Sequence, residues 1–234
     1  MSARGVVVGV VAVVVLAGGA VVADRVAAST AEQRVVDAIE QNLDGVVGTP
    51  TVEVGGFPFL TQLLAGSVDQ VSGQVDGVTL QGIKATDVTI DAHDVSTSQP
   101  YTVGTATIQA TLPTASIEQI VKDQSQLDVA VAVDGDALTA TGTALGLKLA
   151  ANLVPRVEDG RLLVNVENVQ IAGLTVSVSD LPGAIGDRLT DIEIPVSGLP
   201  EGLVLSAATV VSTGVRITAT GTDVVVPTEA PAAG

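Results

Sequence analysis

The chain has 234 residues, with 26 Asp and Glu against 10 Lys and Arg, and a formal net charge of -16. Apolar residues make up 47% and aromatics 1%, so the core must be built from Val, Ala, Leu and Ile. The cations are scattered without a basic run, which excludes nucleic acid, whose binding needs a clustered cationic footprint, and excludes docking to anionic headgroups through a polybasic patch. There is no Cys, hence no disulfide, no thiolate chemistry and no Cys-ligated metal.

Gly5 to Ala23 is a 19-residue run without a charge. A helix of that length just spans a hydrocarbon core about 30 Å thick. Arg4 precedes the run and Asp24 follows it, so the rest of the chain is expected outside the cytoplasm, on the outer face of the membrane or released into the periplasm. Val21-Val22-Ala23 also offers a small-residue cleavage site. The leader is therefore either a signal peptide or a retained transmembrane anchor. The expected organisation is residues 1–27 as leader, 28–226 as one extracytoplasmic domain and 227–234 as a loose tail.

Ser29 and Glu32 are spaced as a capping box. Val35, Val36, Ile39 and Leu43 follow as an apolar stripe, and Gly45 is a helix stop. Thr49 to Val54 reads as a strand. It leads into Gly55-Gly56-Phe57-Pro58-Phe59-Leu60-Thr61-Gln62-Leu63-Leu64-Ala65-Gly66, which holds two of the three aromatic residues. Pro58 suits the first turn of a helix and Gly66 its C-terminal stop. Phe59, Leu60, Leu63 and Leu64 are expected on one side, with Thr61 and Gln62 on the other. The result is a short helix presenting a bulky apolar wedge, which is either a core plug or the border of a binding groove.

After Gly66 the pattern changes to period two. Val71, Gly73 and Val75 alternate with polar residues, and Asp76-Gly77 signals a turn. Val88, Ile90 and Ala92 share a face. Ala106, Ile108, Ala110 and Leu112 lie opposite Thr105, Thr107, Gln109 and Thr111, so each sheet has one wet and one dry face. A second helix is predicted after Pro113, with Ser116 and Gln119 as its capping box and Ile117, Ile120 and Val121 as its apolar side. Strands resume at Leu127, with turns at Asp134-Gly135 and Asp159-Gly160. Leu181 to Leu189 reads as a short helix. Ile192 to Val196, Leu203 to Val211, Val215 to Ala219 and Asp223 to Val226 are the closing strands. The fold class is α+β, built on long antiparallel sheets. The dry faces carry small and β-branched residues. They either fold over a helix or leave room for an apolar ligand.

Val52-Glu53-Val54 together with residues 55–66 resembles the signature of the actinobacterial LmeA-like phospholipid-binding proteins. Asp24-Arg25 and Ala31-Glu32 resemble that family's start after the membrane segment. Ile194-Pro195-Val196-Ser197-Gly198-Leu199-Pro200-Glu201-Gly202-Leu203-Val204-Leu205 and Gly214-Val215-Arg216-Ile217-Thr218-Ala219-Thr220-Gly221 resemble its closing blocks. The resemblance implies an elongated fold similar to the tubular (BPI-like) lipid-binding domains, in which a curled sheet wraps a long helix. It implies phospholipid as partner, a role in lipid or lipoglycan assembly at the cell envelope, and envelope glycosyltransferases as further partners. The residues expected to border a lipid groove are Phe57, Phe59, Leu60, Leu63 and Leu64.

Enzymatic signatures are missing. His93 is the single His and has no second imidazole or thiolate with which to ligate a metal, so it reads as a solvated turn residue. There is no Gly-x-Ser-x-Gly elbow and no phosphate-cradling Gly-x-x-x-x-Gly-Lys loop. Asp128, Asp134, Asp136, Glu158 and Asp159 cluster at turns, where they serve solubility or offer oxygen ligands for Ca²⁺. The expected function is non-enzymatic and cofactor-free. The alternatives are a scaffolding envelope protein with fully packed sheets and, last, an envelope hydrolase or transferase.

Overall fold

The computed structural model describes residues 21–37, 39–40, 45–80, 82–125, 129–144, 147–171, 173–180, 191–194 and 199–226. Residues 21–37 and 39–40 are helical (α1). They are followed by β1 (Thr51–Gly55), α2 (Phe59–Ala65), β2 (Ser67–Leu80), β3 (Ile83–Ser96), β4 (Thr102–Pro113) and α3 (Thr114–Ser125). Then come β5 (Val129–Asp134), β6 (Ala137–Ala144), β7 (Leu147–Glu158), β8 (Arg161–Ile171), β9 (Leu174–Ser177), a 3-10 turn (Val178–Asp180), β10 (Ile192–Ile194), β11 (Glu201–Val211) and β12 (Gly214–Val225). The expected helix at 181–189 and the tail at 227–234 lie outside the described residues, as do Leu43 and Asp128.

The strands form two six-stranded sheets. The first runs β1-β2-β3-β4-β12-β11; the second runs β10-β8-β7-β6-β5, with β9 also on β8. Neighbouring strands pair antiparallel throughout. The second sheet is thus inserted between β4 and the closing hairpin β11-β12. The α+β class with long antiparallel sheets holds.

The main core is strand against strand. Ala92, Val103, Ala106, Leu203, Leu205, Ala219 and Val224 of the first sheet pack on Leu162 of the second, with Val157 and Ile194 beside them. A second cluster joins Val131 and Leu138 to Val215, and Ile117 of α3 packs against it. Among the described residues, no helix lies in the largest cluster, so it is not a helix wrapped by a sheet. Ala and Val are short enough to bring the two sheets directly together.

One edge strand of each sheet, β1 and β5, gives an amide to a helix carboxylate. Glu32 of α1 accepts a bond from the Val54 amide on β1 (2.9 Å). Glu118 of α3 accepts one from the Val131 amide on β5 (2.7 Å). Each takes up an edge N–H that would otherwise pair with another chain. These contacts overturn both expected capping boxes. Ser29 and Glu32 lie within α1 rather than at its start. Ser116 is buried within the first turn of α3, where its hydroxyl donates to the Lys84 carbonyl (2.7 Å).

Three further expectations are corrected. Asp76-Gly77 is no turn: β2 runs through it, and Gly77 exchanges two backbone bonds with Val47 (2.8 and 3.2 Å). A Cβ on Gly77 would sit 3.0 Å from the Ala85 carbonyl, so the glycine there serves close approach. The most buried side of α1 is Asp24, Ala27, Ala28 and Ala31; of the expected stripe, Val36 and Ile39 are half-buried and Val35 is exposed. Thr111 is fully buried although its neighbours Thr105, Thr107 and Gln109 are not, and its hydroxyl finds no partner. An unsatisfied buried hydroxyl is costly. Thr111→Val is therefore expected to raise stability by about 1 kcal/mol in thermal unfolding. A lower melting temperature would show that the hydroxyl is satisfied.

Candidate functional site

The element around Phe57–Gly66 is built as follows. β1 ends at Gly55, and Gly56 turns the chain at φ +84°; a Cβ there would lie 2.3 Å from Nε2 of Gln62. Pro58 stands at the N-cap of α2, one position before its expected place, and Gly66 closes the helix in the left-handed region. Pro58 has no side chain with which to cap. Asp24 of α1 supplies the cap instead: Oδ2 accepts from the Phe59 amide (2.9 Å) and Oδ1 from the Leu60 amide (2.8 Å). Asp24 is only 3% exposed. The boundary expected after residue 27 therefore falls within packed structure.

The helix is turned about relative to expectation. Phe59 and Gln62, three residues apart, form its buried side. Phe59 packs on Ala28 and Val68, with Ala27, Ala31, Val54 and Val71 around it. Gln62 is an internal strut, accepting from the Asp69 amide (2.7 Å) and donating to the Gly55 carbonyl (3.5 Å). Leu60 and Leu63 face outward, and Leu64 is 91% exposed. Phe57, 53% exposed, lies under the Arg25 guanidinium, 5.7 Å from its ring centroid. Thus Phe59 is the core plug, while Phe57, Leu60, Leu63 and Leu64 form an outward wedge. Periodicity grouped the leucines with Phe59 because three and four are both helical spacings; the Asp24 cap and the Gln62 bonds select the rotation.

Phe59 closes one end of the dry face of the first sheet. Beyond Val54 and Val71, that face continues through Val52, Val75, Val88, Ile90 and Ile108. Register places them side by side: Val52 opposite Gly73, Gly73 opposite Ile90, Val75 opposite Val88 and Ile90 opposite Ile108. The second sheet covers this face at Ala92 and Ala106. It leaves Ile90 44% exposed and its four companions half-buried. The strip is apolar, half-open and bounded at one end by the Phe59 plug. The alternation of the sequence marks Val75, Val88, Ile90 and Ile108 as facing residues and leaves open whether they are covered.

The opposite face of the same strands is wet. Thr51, Glu53, Gln74, Asp91 and Gln109 line a polar trough of 390 Å³ that Gly73 and Ile90 also border. Gln70 Nε2 donates to Asp91 Oδ2 (3.1 Å), and His93 Nε2 lies 2.8 Å from Asp91 Oδ1. His93 is thus a strand residue paired with a neighbouring carboxylate, not a turn residue. Among the described residues, no group of His, Cys, Asp or Glu is placed to hold a metal. None of their helices is long and apolar enough to cross a membrane. Most of the expected span, residues 5–20, lies outside the described residues.

The sequence profile of the LmeA-like phospholipid-binding family matches residues 22–220. The chain belongs to that family. The match opens two residues before Asp24 and includes the wedge, the strip and the closing hairpin up to Thr220. The chain matches no curated protein and no solved structure. In this LmeA-like protein the signature block now has physical content: Gly56 makes room for Gln62, Phe59 fills the corner, and the outward leucines are left over from what folding requires.

Proposed function

We propose that this protein holds phospholipid outside the cytoplasmic membrane, without catalysing a reaction, and supports lipid or lipoglycan assembly at the cell envelope. Acyl chains lie along the half-open strip at Val52, Val75, Val88, Ile90 and Ile108. Phe57, Leu60, Leu63 and Leu64 contact lipid at the strip's end, and Phe59 holds them in place. The observation that carries this reading is Ile90, an apolar side chain left 44% exposed on a dry sheet face in a member of a phospholipid-binding family. Covering such a face with an acyl chain gains about 0.8 kcal/mol per buried methylene. The wet face offers no such gain, so acyl chains are held on the dry face alone.

Photo-crosslinking tests this directly in the full chain. With p-benzoylphenylalanine in place of Ile90, irradiation in phospholipid membranes should give a protein adduct heavier by one phospholipid mass. The same probe in place of Thr89, on the wet face, should give little. Equal or absent adducts at the two positions would rule out the strip as the acyl site.

A further inference from the structure

We propose that the outward side of α2, joined to the exposed valines of α1, seats the protein on a bilayer through apolar contact alone. This rests on the lipid-binding reading above and adds the surface by which the protein meets its lipid source. The first argument is the rotation of α2. A surface helix ordinarily buries its leucines and shows its amides. Here Gln62 is inside while Leu60, Leu63 and Leu64 are outside. Exposed single hydrophobics are ordinary, but a contiguous apolar patch marks an interaction surface.

The second argument is continuity. Asp24 ties α1 to the first turn of α2, and Arg25 ties it to Phe57. Val21, one turn before Arg25 on α1, and Val22 and Val26 beside it are also exposed. The wedge therefore extends along the outward stripe of α1.

The third argument identifies the occupant. Residues 5–20 carry no charge and directly precede α1 in the sequence. The patch thus lies at the end of the chain that is adapted to a bilayer. A second copy is a poor occupant, since it brings another net charge of -16 and the repulsion that goes with it. That same charge removes electrostatic attraction to anionic headgroups, so the contact must be apolar and insensitive to salt. Phe57 and Arg25 suit the headgroup level, where an aromatic ring and a guanidinium on an apolar stem are both accommodated.

The chain contains no Trp, so a single Trp is a clean reporter. Leu64→Trp changes a side chain outside the core; Leu174→Trp, at a 75% exposed site on β9, is the control. The full-length variants are combined with phosphatidylcholine vesicles containing brominated phosphatidylcholine, at low and high salt. The reporter at position 64 should be blue-shifted, quenched by the brominated lipid and protected from aqueous iodide at both salt concentrations. The reporter at position 174 should show the reverse. Iodide quenching at position 64 equal to that at 174 would overturn the proposal. So would a blue shift without brominated-lipid quenching in a protein of doubled mass, which would assign the patch to self-association. Lipid adducts at position 90 with an iodide-quenched position 64 would remove docking and leave lipid holding. Brominated-lipid quenching at 64 without adducts at 90 would support docking and remove the strip.

Discussion

Phe59→Ala should destabilise the protein by about 3–5 kcal/mol, while Phe57→Ala, two residues away, should cost no more than about 1 kcal/mol. The two aromatic rings bracket Pro58 and look equivalent in the sequence. Phe59 is 5% exposed and is the largest side chain in the cluster that joins α1, α2, β1 and β2. Truncating it removes transfer free energy and leaves a cavity that three alanines of α1 are too short to fill. Phe57 loses only a ring face shared with Arg25, a contact of about 0.5–1 kcal/mol at an exposed site. Against total stabilities of about 5–15 kcal/mol, the first loss is large and the second slight. Guanidinium unfolding followed by circular dichroism separates them. Equal midpoints for the two variants would mean that Phe59 is not the plug.

Asp24→Ala should cost about 2–3 kcal/mol, because it removes the acceptor of two amides at once. The Phe59 and Leu60 N–H groups belong to the first turn of a helix that has no cap of its own. Both are satisfied only by a carboxylate 35 and 36 residues earlier. Charge-assisted bonds of this kind are stronger than neutral ones. Asp24→Asn keeps one acceptor oxygen and should lose roughly half as much. Hydrogen exchange is the sharper measurement. The amides of residues 59 and 60 should exchange much faster in Asp24→Ala, with those of the β4-β12 pair unchanged. Unchanged exchange at 59 and 60 would show that solvent replaces the carboxylate without cost. The two variants also bear on function, since both loosen the corner that orients the wedge while leaving Leu60, Leu63 and Leu64 in place.

Much of the architecture was legible in the sequence. Period-two runs such as residues 103–112 and 129–133 became β4 and β5, Asp159-Gly160 became a hairpin turn, and the turn expected at Asp134-Gly135 forms one residue later, at Gly135-Asp136. Asp159 and Gly160 both take positive φ, as a type I′ hairpin turn requires. Asp76-Gly77 carries the same local signal, yet it lies in mid-strand because a distant segment bridges to Gly77. Only contacts far along the chain distinguish the two cases. The closing residues 215–226, read as two strands, form one continuous β12 because β4 pairs along nearly its whole length.

The sequence by itself determined the antiparallel α+β class and the absence of a basic patch and of thiol chemistry. These follow from composition, period and local turn chemistry, which act over a few residues. The tertiary structure alone decided which side of α2 is buried. Helical spacing permits either rotation; Asp24 and Gln62, bonded across 35 and 7 residues, permit one. It also decided which part of a uniformly apolar sheet face stays open. Ala92 and Ile90 are two residues apart on one face, and only the reach of the second sheet covers the first and leaves the second exposed.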